Sequence, residues 1–521
     1  MKVLITCSGS GTRMGEYTKY TNKALIKVGD KFTIDYIIDN FKKINNIEFI
    51  ITLGYYGDFV KQYLLVAYPE LNFTFIIIDN YEDIGSSQGY SLLKTKDYIQ
   101  EPFIFIACDT IILDNLYIDS NYEITNNKIY LYKYNDSNNY STVICENNKI
   151  KSINDKGEKI FDYIYIGKCQ IYNYKEFWDN LEKKYNEDKN NSSLGDIISY
   201  NLMIKQNINF NYQILDKWYD AGTINIFNSD IHKNLNYNVL VKLDESISFH
   251  ENQVVKFFYS KDKNLKRLDR LKYIEDLCPK ILNKSDNFHS MEKIDSKPIS
   301  EIHDHQLIKK LLNWSFDNLW IKYETPNNFK DIIYDFYYNK TIKRINMALN
   351  NNNIFDFNKI NNCNVGDIFS LISKINFDNL CESNAVRFHG DYILDNILLK
   401  NNKFVLIDWR EDFGGDLKNG DIYYDLAKLK HNIYFNHNNI QNNLFQFKKI
   451  DSTSCLIDLK CNYDLIIQIK DFEEIITQKN LSNKKINILM SLIWINMAPL
   501  HEYPLNNLLF NLGKYNLFLY N

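Results

Sequence analysis

The sequence predicts an α/β protein in three parts: an N-terminal open sheet covered by helices, a small antiparallel sheet, and a helical C-terminal region. Three observations lead there. Up to about Asp230, short apolar runs alternate with stretches whose apolar residues recur at helical spacing. Beyond that point the pattern changes to closely spaced alternating strands. From about His305 most of the sequence has helical periodicity, interrupted at Phe404 to Ile407.

Lys2 to Thr6 reads as a buried strand, and Ile34, Ile37, Ile38 and Phe41 mark a helix that Thr33 is placed to cap. Phe49 to Leu53, Thr74 to Ile78 and Phe103 to Ala107 are further strands. Most are apolar on both faces, which favours a parallel sheet with helices on either side. A new domain is expected near Tyr237, with strands at Val239 to Leu243, Ser246 to His250 and Val254 to Phe258 and a helix at Lys266 to Leu277. Ile486 to Leu500 is interrupted by Asn487, Ser491 and Asn496 and is too short to span a bilayer, so it reads as a buried helix. The expected division is residues 1–232, 237–300 and 301–521.

At 521 residues and 45% apolar content, the chain is too long for one core and can fill two or three. Its 61 basic and 65 acidic residues leave a net charge of -4, with no basic field to attract nucleic acid, so small substrates are expected. Met1 to Ile5 runs straight into a strand without the features of a secretory signal, and a cytoplasmic location is expected. Nine cysteines, none in a C-x-x-C pair, read as reduced thiols, Cys7 and Cys108 as small buried side chains. Asn350 to Asn353 and Asn438 to Asn443 read as surface loops. His303-Asp304-His305 lacks a distant third ligand and is not read as a metal site.

Chemistry concentrates in two places. After the first strand, Cys7-Ser8-Gly9-Ser10-Gly11-Thr12-Arg13-Met14 lets the backbone pass close to a triphosphate and aim its N–H groups at the phosphates. It is joined by Asn22-Lys23-Ala24-Leu25, by Ala107-Cys108-Asp109 after a strand, and by Trp218-Tyr219-Asp220-Ala221-Gly222-Thr223. Together these resemble the sugar-phosphate nucleotidylyltransferase superfamily over roughly residues 1–232, most of all its phosphocholine cytidylyltransferases. The resemblance implies a Rossmann-like domain in which Gly9, Ser10, Gly11 and Thr12 cradle CTP or another NTP. Arg13 and Lys23 would neutralise the triphosphate and the departing pyrophosphate, while Asp109 and Asp220 would hold Mg²⁺. Ser86 and Ser87 fall where the family contacts the nucleoside. Asn22 stands where the family has proline, and losing the fixed φ is expected to loosen the loop without removing a charge.

Far downstream, Asp391 and Asn396 have the five-residue separation of a phosphotransferase catalytic loop, and Asp408 follows an apolar strand. Mg²⁺-ATP requires oxygen ligands, for which Asn396 and Asp408 are suited, and an acceptor hydroxyl requires a base, for which Asp391 is suited. His389-Gly390-Asp391, Ile407-Asp408-Trp409 and Gly420-Asp421-Ile422-Tyr423-Tyr424-Asp425-Leu426-Ala427-Lys428 resemble the choline kinase and aminoglycoside phosphotransferase family. That resemblance implies a two-lobed protein-kinase-like fold, with Lys256 on the ATP α- and β-phosphates and Asp269 as its acidic partner. No Gly-rich loop is visible between Val239 and Val254, so the turn Asp244-Glu245-Ser246 or another segment must cover the nucleotide. His389 reads as structural, and Asp425 as ordering the loop.

Taken together, the two resemblances imply a bifunctional enzyme. One half would phosphorylate a small alcohol with ATP, with choline, ethanolamine or a similar amino alcohol first. The other would join that phosphomonoester to CMP from CTP, giving an activated precursor for a bacterial cell-surface glycan. Two alternatives stay open: a sugar or polyol kinase joined to an NDP-sugar-forming enzyme, or one active domain with a degenerate regulatory partner.

Overall fold

Two units make up the chain, Met1–Lys261 with Ile281–Lys293, and Asp262–Lys280 with Ile294–Asn521. The structure is a computed structural model that describes every residue except 115, 117, 118, 147, 148, 234–241, 303, 305, 351, 352, 461, 462 and 521. The expected domain start near Tyr237, most of the strand expected at Val239 to Leu243, and both His303 and His305 lie outside the described residues.

In the first unit the apolar runs form a parallel core of strands β1 (Lys2–Cys7), β2 (Glu48–Leu53), β3 (Asn72–Ile77) and β4 (Phe103–Ala107), in the spatial order β4-β1-β2-β3. Alternate residues of β1 enter different cores. Val3 and Ile5 pack with Ile34, Ile37 and Phe41 of helix α1 (Thr33–Phe41), whereas Leu4 packs with Leu92 of α3 (Gln88–Leu93) and with Trp178. Burial on both faces explains why β1, β2 and β4 lack polar alternation, whereas the edge strand β3 buries only Ile76. Thr33 does not cap α1. It is the first helical residue, and the Asp35 carboxylate accepts the Phe32 N–H at 2.9 Å instead. Strand β5 (Thr110–Ile112) follows β4, and β6 (Tyr163–Ile171) extends the sheet antiparallel to β4. The C-terminal ends of β1 and β4 emerge side by side, Thr6 opposite Ala107, so that the loops after them meet at one edge.

A second sheet belongs to the same unit: β8 (Glu245–Phe249), β9 (Gln253–Phe258), β10 (Ile281–Lys284) and β11 (Phe288–Glu292), all antiparallel in the order β8-β9-β11-β10. Between the two sheets in sequence, β7 (Trp218–Asp220) pairs with β5. Val255, Phe257 and Phe288 share a core with Phe49 and with Val60 and Tyr63 of α2 (Gly57–Ala67). The fully buried Asp35 adds a polar tie, accepting hydrogen bonds from the hydroxyls of Ser248 at 2.6 Å, Tyr63 at 2.5 Å and Tyr68 at 2.9 Å. A buried carboxylate needs such donors to offset its lost hydration.

Helices dominate the second unit: α4 (Lys261–Leu271) buries Asn264, Arg267 and Arg270, while α5 (Lys340–Asn350), α6 (Ile422–Tyr434), α7 (Asn483–Met497) and α8 (Leu505–Tyr520) frame its core. The helix expected at Lys266 to Leu277 thus starts earlier and ends at Leu271, with a separate turn at Glu275–Leu277. In α7 the polar interruptions find partners within the helical core, except that Asn496 Oδ1 is buried without one among the described residues. Lys430 Nζ donates to Asn487 at 2.7 Å, and the Ser491 hydroxyl donates to the Asn487 carbonyl at 2.7 Å. Among the described residues, no helix is long and apolar enough to cross a membrane. Strands β12 (Ile397–Lys400) and β13 (Lys403–Leu406) form a hairpin joined by Asn401 and Asn402, both at positive φ (50° and 61°) as a two-residue hairpin turn requires.

Candidate active sites

At the sheet edge of the first unit, β1 runs into the Gly-rich turn. Gly11 has φ 67°, and a Cβ there would lie 3.0 Å from Thr18 and 3.2 Å from Lys23. A side chain at that position would therefore be both strained and crowded. Asn22, expected to loosen the next loop, instead fixes it. It is fully buried with φ -75°, within the range proline would impose, and donates to the carbonyls of Cys7 (2.8 Å) and Tyr55 (2.6 Å) while accepting the Ala24 N–H (2.9 Å). Three hydrogen bonds thus hold the turn that presents Lys23.

Lys23 Nζ ion-pairs with Asp109 at 2.9 Å. Strand β7 brings Asp220 opposite Thr110, next to Asp109 in sequence, and the Ala221 N–H closes the pair on the Asp109 carbonyl at 2.8 Å. Gly222 leaves the space in which the groups converge. From the point a Cβ would occupy there, Asp109 Oδ2 is 2.7 Å, Asp220 Oδ1 2.9 Å and Arg13 Nη2 3.1 Å distant. Burial opposes ionisation of Asp109, yet Lys23 and then Arg13 hold its carboxyl below the usual range. Burial, and then the Asp109 charge, raise Asp220, although Tyr140 donates to it at 2.9 Å. Two carboxylates forced together with opposite shifts form a site that gains from added positive charge.

Beside this cluster an open cleft of about 600 Å³ is bordered by Ser10 and Thr12 on one side and by Tyr81 and Glu82 on the other. Ser87 caps α3, accepting the Tyr90 N–H at 3.1 Å, and one turn later Ser91 meets Ser8 at 3.0 Å. The segment holding Ser86 and Ser87 is therefore anchored to the start of the Gly-rich turn, with Ser87 used as a helix cap.

In the second unit the β12–β13 hairpin joins two of the expected residues. Its open end places Asn396 and Asp408 together, the Ile407 N–H bonding the Asn396 carbonyl at 2.9 Å. Asn396 Nδ2 donates to the Asp391 carbonyl (3.0 Å) and carboxylate (3.3 Å), which leaves Oδ1 as its acceptor atom. Asp408 sits at φ 55° and pairs with Arg267 of α4. Lys428 of α6 ion-pairs with Asp391 at 2.7 Å, and despite burial this lysine holds the Asp391 carboxyl down at about 2.

The backbone of the His389–Asp391 turn is fixed by a fully buried carboxylate. Asp425 accepts the His389 and Gly390 N–H groups, both at 2.7 Å, and Trp320 Nε1 at 3.2 Å, which is the loop-ordering role expected of it. His389 is structural as well. Its Nε2 bonds the Ile407 carbonyl at 3.0 Å, its Nδ1 accepts the Asp391 N–H at 3.3 Å, and burial, then Arg270, push it down to about 4.

Several residues important here were not singled out from the sequence. Arg270 is buried against the Phe388 ring at 3.8 Å and donates to the carbonyls of Phe388, His389 and Arg410. Arg267, one turn earlier, reaches Asp408. Their three-residue spacing was a usable signal, whereas Lys428, three residues after Asp425 on one helix, closed the motif already quoted and lacked only a role. Asp269, expected to be the acidic partner of Lys256, is exposed on α4. Lys256 stands on β9 in the first unit, opposite Ile247 and His289.

Residues 374–442, which include His389 to Asp391, Asn396 and Asp408, match the phosphotransferase enzyme family. The chain joins a nucleotidyltransferase-like domain to a phosphotransferase-family domain. The nucleotidyltransferase-like part is similar to a probable glucose-1-phosphate cytidylyltransferase of Bacillus subtilis, 40% identical over 65 residues (12% of this chain, 26% of that protein). It is also similar to the choline-phosphate cytidylyltransferase of Streptococcus pneumoniae, 25% identical over 154 residues (29% of this chain, 63% of that protein). The matches to curated relatives span between 26% and 63% of those proteins' own length. Among solved structures, that of the CTP:phosphocholine cytidylyltransferase of Streptococcus pneumoniae aligns at 21% identity and a TM-score of 0.38, covering 44% of this chain and 96% of that one.

Proposed function

We propose that the chain is a bifunctional enzyme in which the phosphotransferase domain phosphorylates a small alcohol with ATP and the nucleotidyltransferase-like domain transfers CMP from CTP onto the resulting phosphomonoester. The observation that carries this is that each unit assembles a full charge set from segments distant in sequence. Arg13, Lys23, Asp109 and Asp220 converge beside Gly222 in one, and Asp391, Asn396 and Asp408 meet at a hairpin in the other.

In the first reaction Asp391 takes the acceptor hydroxyl proton as its oxygen bonds the γ-phosphorus and the bond to the β,γ-bridging oxygen breaks, releasing ADP. In the second, a phosphate oxygen of the product bonds the α-phosphorus of CTP and pyrophosphate leaves, with Arg13 and Lys23 offsetting the developing charge. Mg²⁺ fits both donor sets. Two convergent carboxylate oxygens from Asp109 and Asp220, or an amide oxygen and a carboxylate from Asn396 and Asp408, leave the remaining positions to phosphate oxygens, as this ion prefers. When bound it supplies charge neutralisation on the phosphates. The linked product would be an activated precursor for a cell-surface glycan, made in the cytoplasm.

The test is a mass-spectrometric screen of the full chain with Mg²⁺, ATP and each NTP against amino alcohols, polyols and hydroxy acids, with matching phosphates supplied separately. A CDP-linked product from an unphosphorylated alcohol is expected. Absence of ADP with every acceptor, or of a nucleotidyl product with every phosphate, would refute the corresponding half.

A further inference from the structure

Beside Asp391 the chain gathers positive charge that neither ATP nor the turn itself accounts for. Lys428 touches the Asp391 carboxylate at 2.7 Å. Tyr424, one turn earlier on α6, accepts from Arg410 Nη1 at 3.4 Å. The stem of Arg410 packs against the glycine preceding Asp391, where a Cβ on Gly390 would lie 2.7 Å from the Arg410 Cβ. Phe336 completes the group. Its ring centroid is 5.0 Å from the Arg410 guanidinium and 4.0 Å from Lys340 Nζ. Lys340 begins α5 directly after a π-turn at Asp335–Asn339, an irregularity common at functional sites.

Among the described residues neither Lys340 nor Arg410 forms an ion pair, and Arg410 Nε is buried without an acceptor. Of the neighbouring acids, Glu411 lies 3.8 Å from Arg267 and, against partial burial, is held in its charged form by Arg410 and then Arg267, while Asp412 lies 3.8 Å from Lys266; Lys340 and Lys428 carry the charge beyond these pairs. Nor is the ring available for a quaternary ammonium group. Phe336 already carries two of the protein's own cations, and a third would meet their repulsion.

We infer that the acceptor alcohol carries an oxyanion, a carboxylate or a phosphate ester, bound by Lys340, Arg410 and Lys428 while its hydroxyl faces Asp391. This rests on the proposed kinase activity and replaces the amino alcohol expected from resemblance. An anion at this place also gives Lys428 a second partner, loosening its hold on the carboxylate that must accept the proton. Phosphoryl transfer itself is unchanged: the acceptor oxygen bonds the γ-phosphorus, its proton passes to Asp391 and ADP leaves.

The experiment measures ADP release by the full-length protein with Mg²⁺-ATP and glycerol, glycerate, glycerol 3-phosphate, choline or ethanolamine, with water alone as the baseline. An acidic acceptor should exceed glycerol and both amino alcohols in kcat/KM by about tenfold or more, and the better of the two acids identifies the oxyanion. Lys340→Met should remove most of that preference through KM with kcat largely kept, whereas Lys340→Arg should retain it. Choline or ethanolamine as the best acceptor, or acids no better than glycerol, would overturn the inference while leaving the kinase intact. ADP release absent even in water alone, with every acceptor also silent, would instead overturn the kinase activity on which it rests.

Discussion

Asp425→Asn is the sharpest test of how the phosphotransferase turn is held. The wild-type carboxylate accepts two backbone N–H groups at 2.7 Å and one indole N–H at 3.2 Å while fully buried. An amide keeps one accepting oxygen and turns its NH₂ toward a donor. A charge-assisted bond is worth about 1.5–3 kcal/mol and a stranded buried N–H costs about 1–3 kcal/mol, so the second unit should lose roughly 3–5 kcal/mol of stability. Because Gly390 and His389 set the position of Asp391, kcat for phosphorylation should fall about a hundredfold or more. A second signature lies in pH. Burial pushes Asp425 up to about 6, so from the usual carboxylate range to about pH 6 the native state holds a proton the unfolded chain has released, and this term weakens as pH rises. His389, pushed down by burial and Arg270 to about 4, contributes with the opposite sign. Between about pH 4 and the usual imidazole value the unfolded chain binds the extra proton, and stability grows with pH. In the wild type the two slopes offset each other. In the variant the His389 term stands alone, adding about 3 kcal/mol from pH 4 to 6.5. Denaturant unfolding followed across that range, with ADP release measured in parallel, checks both. Kinase activity within threefold of wild type and an unchanged unfolding profile would refute the role assigned to Asp425.

Further outcomes are expected from the same geometry. Asp391→Asn should abolish phosphorylation and spare cytidylyl transfer from a supplied phosphomonoester, and Asp109→Asn should do the reverse; separate assays of ADP and pyrophosphate release decide. Asn22→Ala strands the Cys7 and Tyr55 carbonyls and the Ala24 N–H, and should lower the stability of the first unit by about 2–3 kcal/mol while raising KM for the triphosphate, read by denaturant melts and pyrophosphate release. Burial, with Arg410, Lys428 and Arg344 beside it and Glu411 opposing, brings Lys340 down to about 7. The kcat/KM for an acidic acceptor should therefore decline as pH rises through about 7 and stay flatter in Lys340→Arg.

Much of the order of elements, and the motifs that are contiguous along the chain, can be read from the amino-acid order alone. Apolar runs on both faces of β1, β2 and β4 required a covered parallel sheet, and Gly9 to Arg13, His389 to Asp391 and Ile407 to Asp408 announced phosphate chemistry through short-range spacing. Such features are legible because backbone geometry and local sterics act over a few residues. What surrounds them depends on packing between distant segments. Asn22 looked like a loss when judged by its own φ preference, and became a three-bond clamp once the ends of β1 and β2 stood on either side of it. Asp269 and Arg267 sit two positions apart on one helix, yet the rotation of α4 exposes the first and sends the second to Asp408. The cations around Asp391 come from α5, α6 and the segment after β13, and no spacing along the chain relates them. Their grouping is a product of packing, because an electrostatic environment depends on distance through space and on burial, neither of which is encoded in any one stretch of residues.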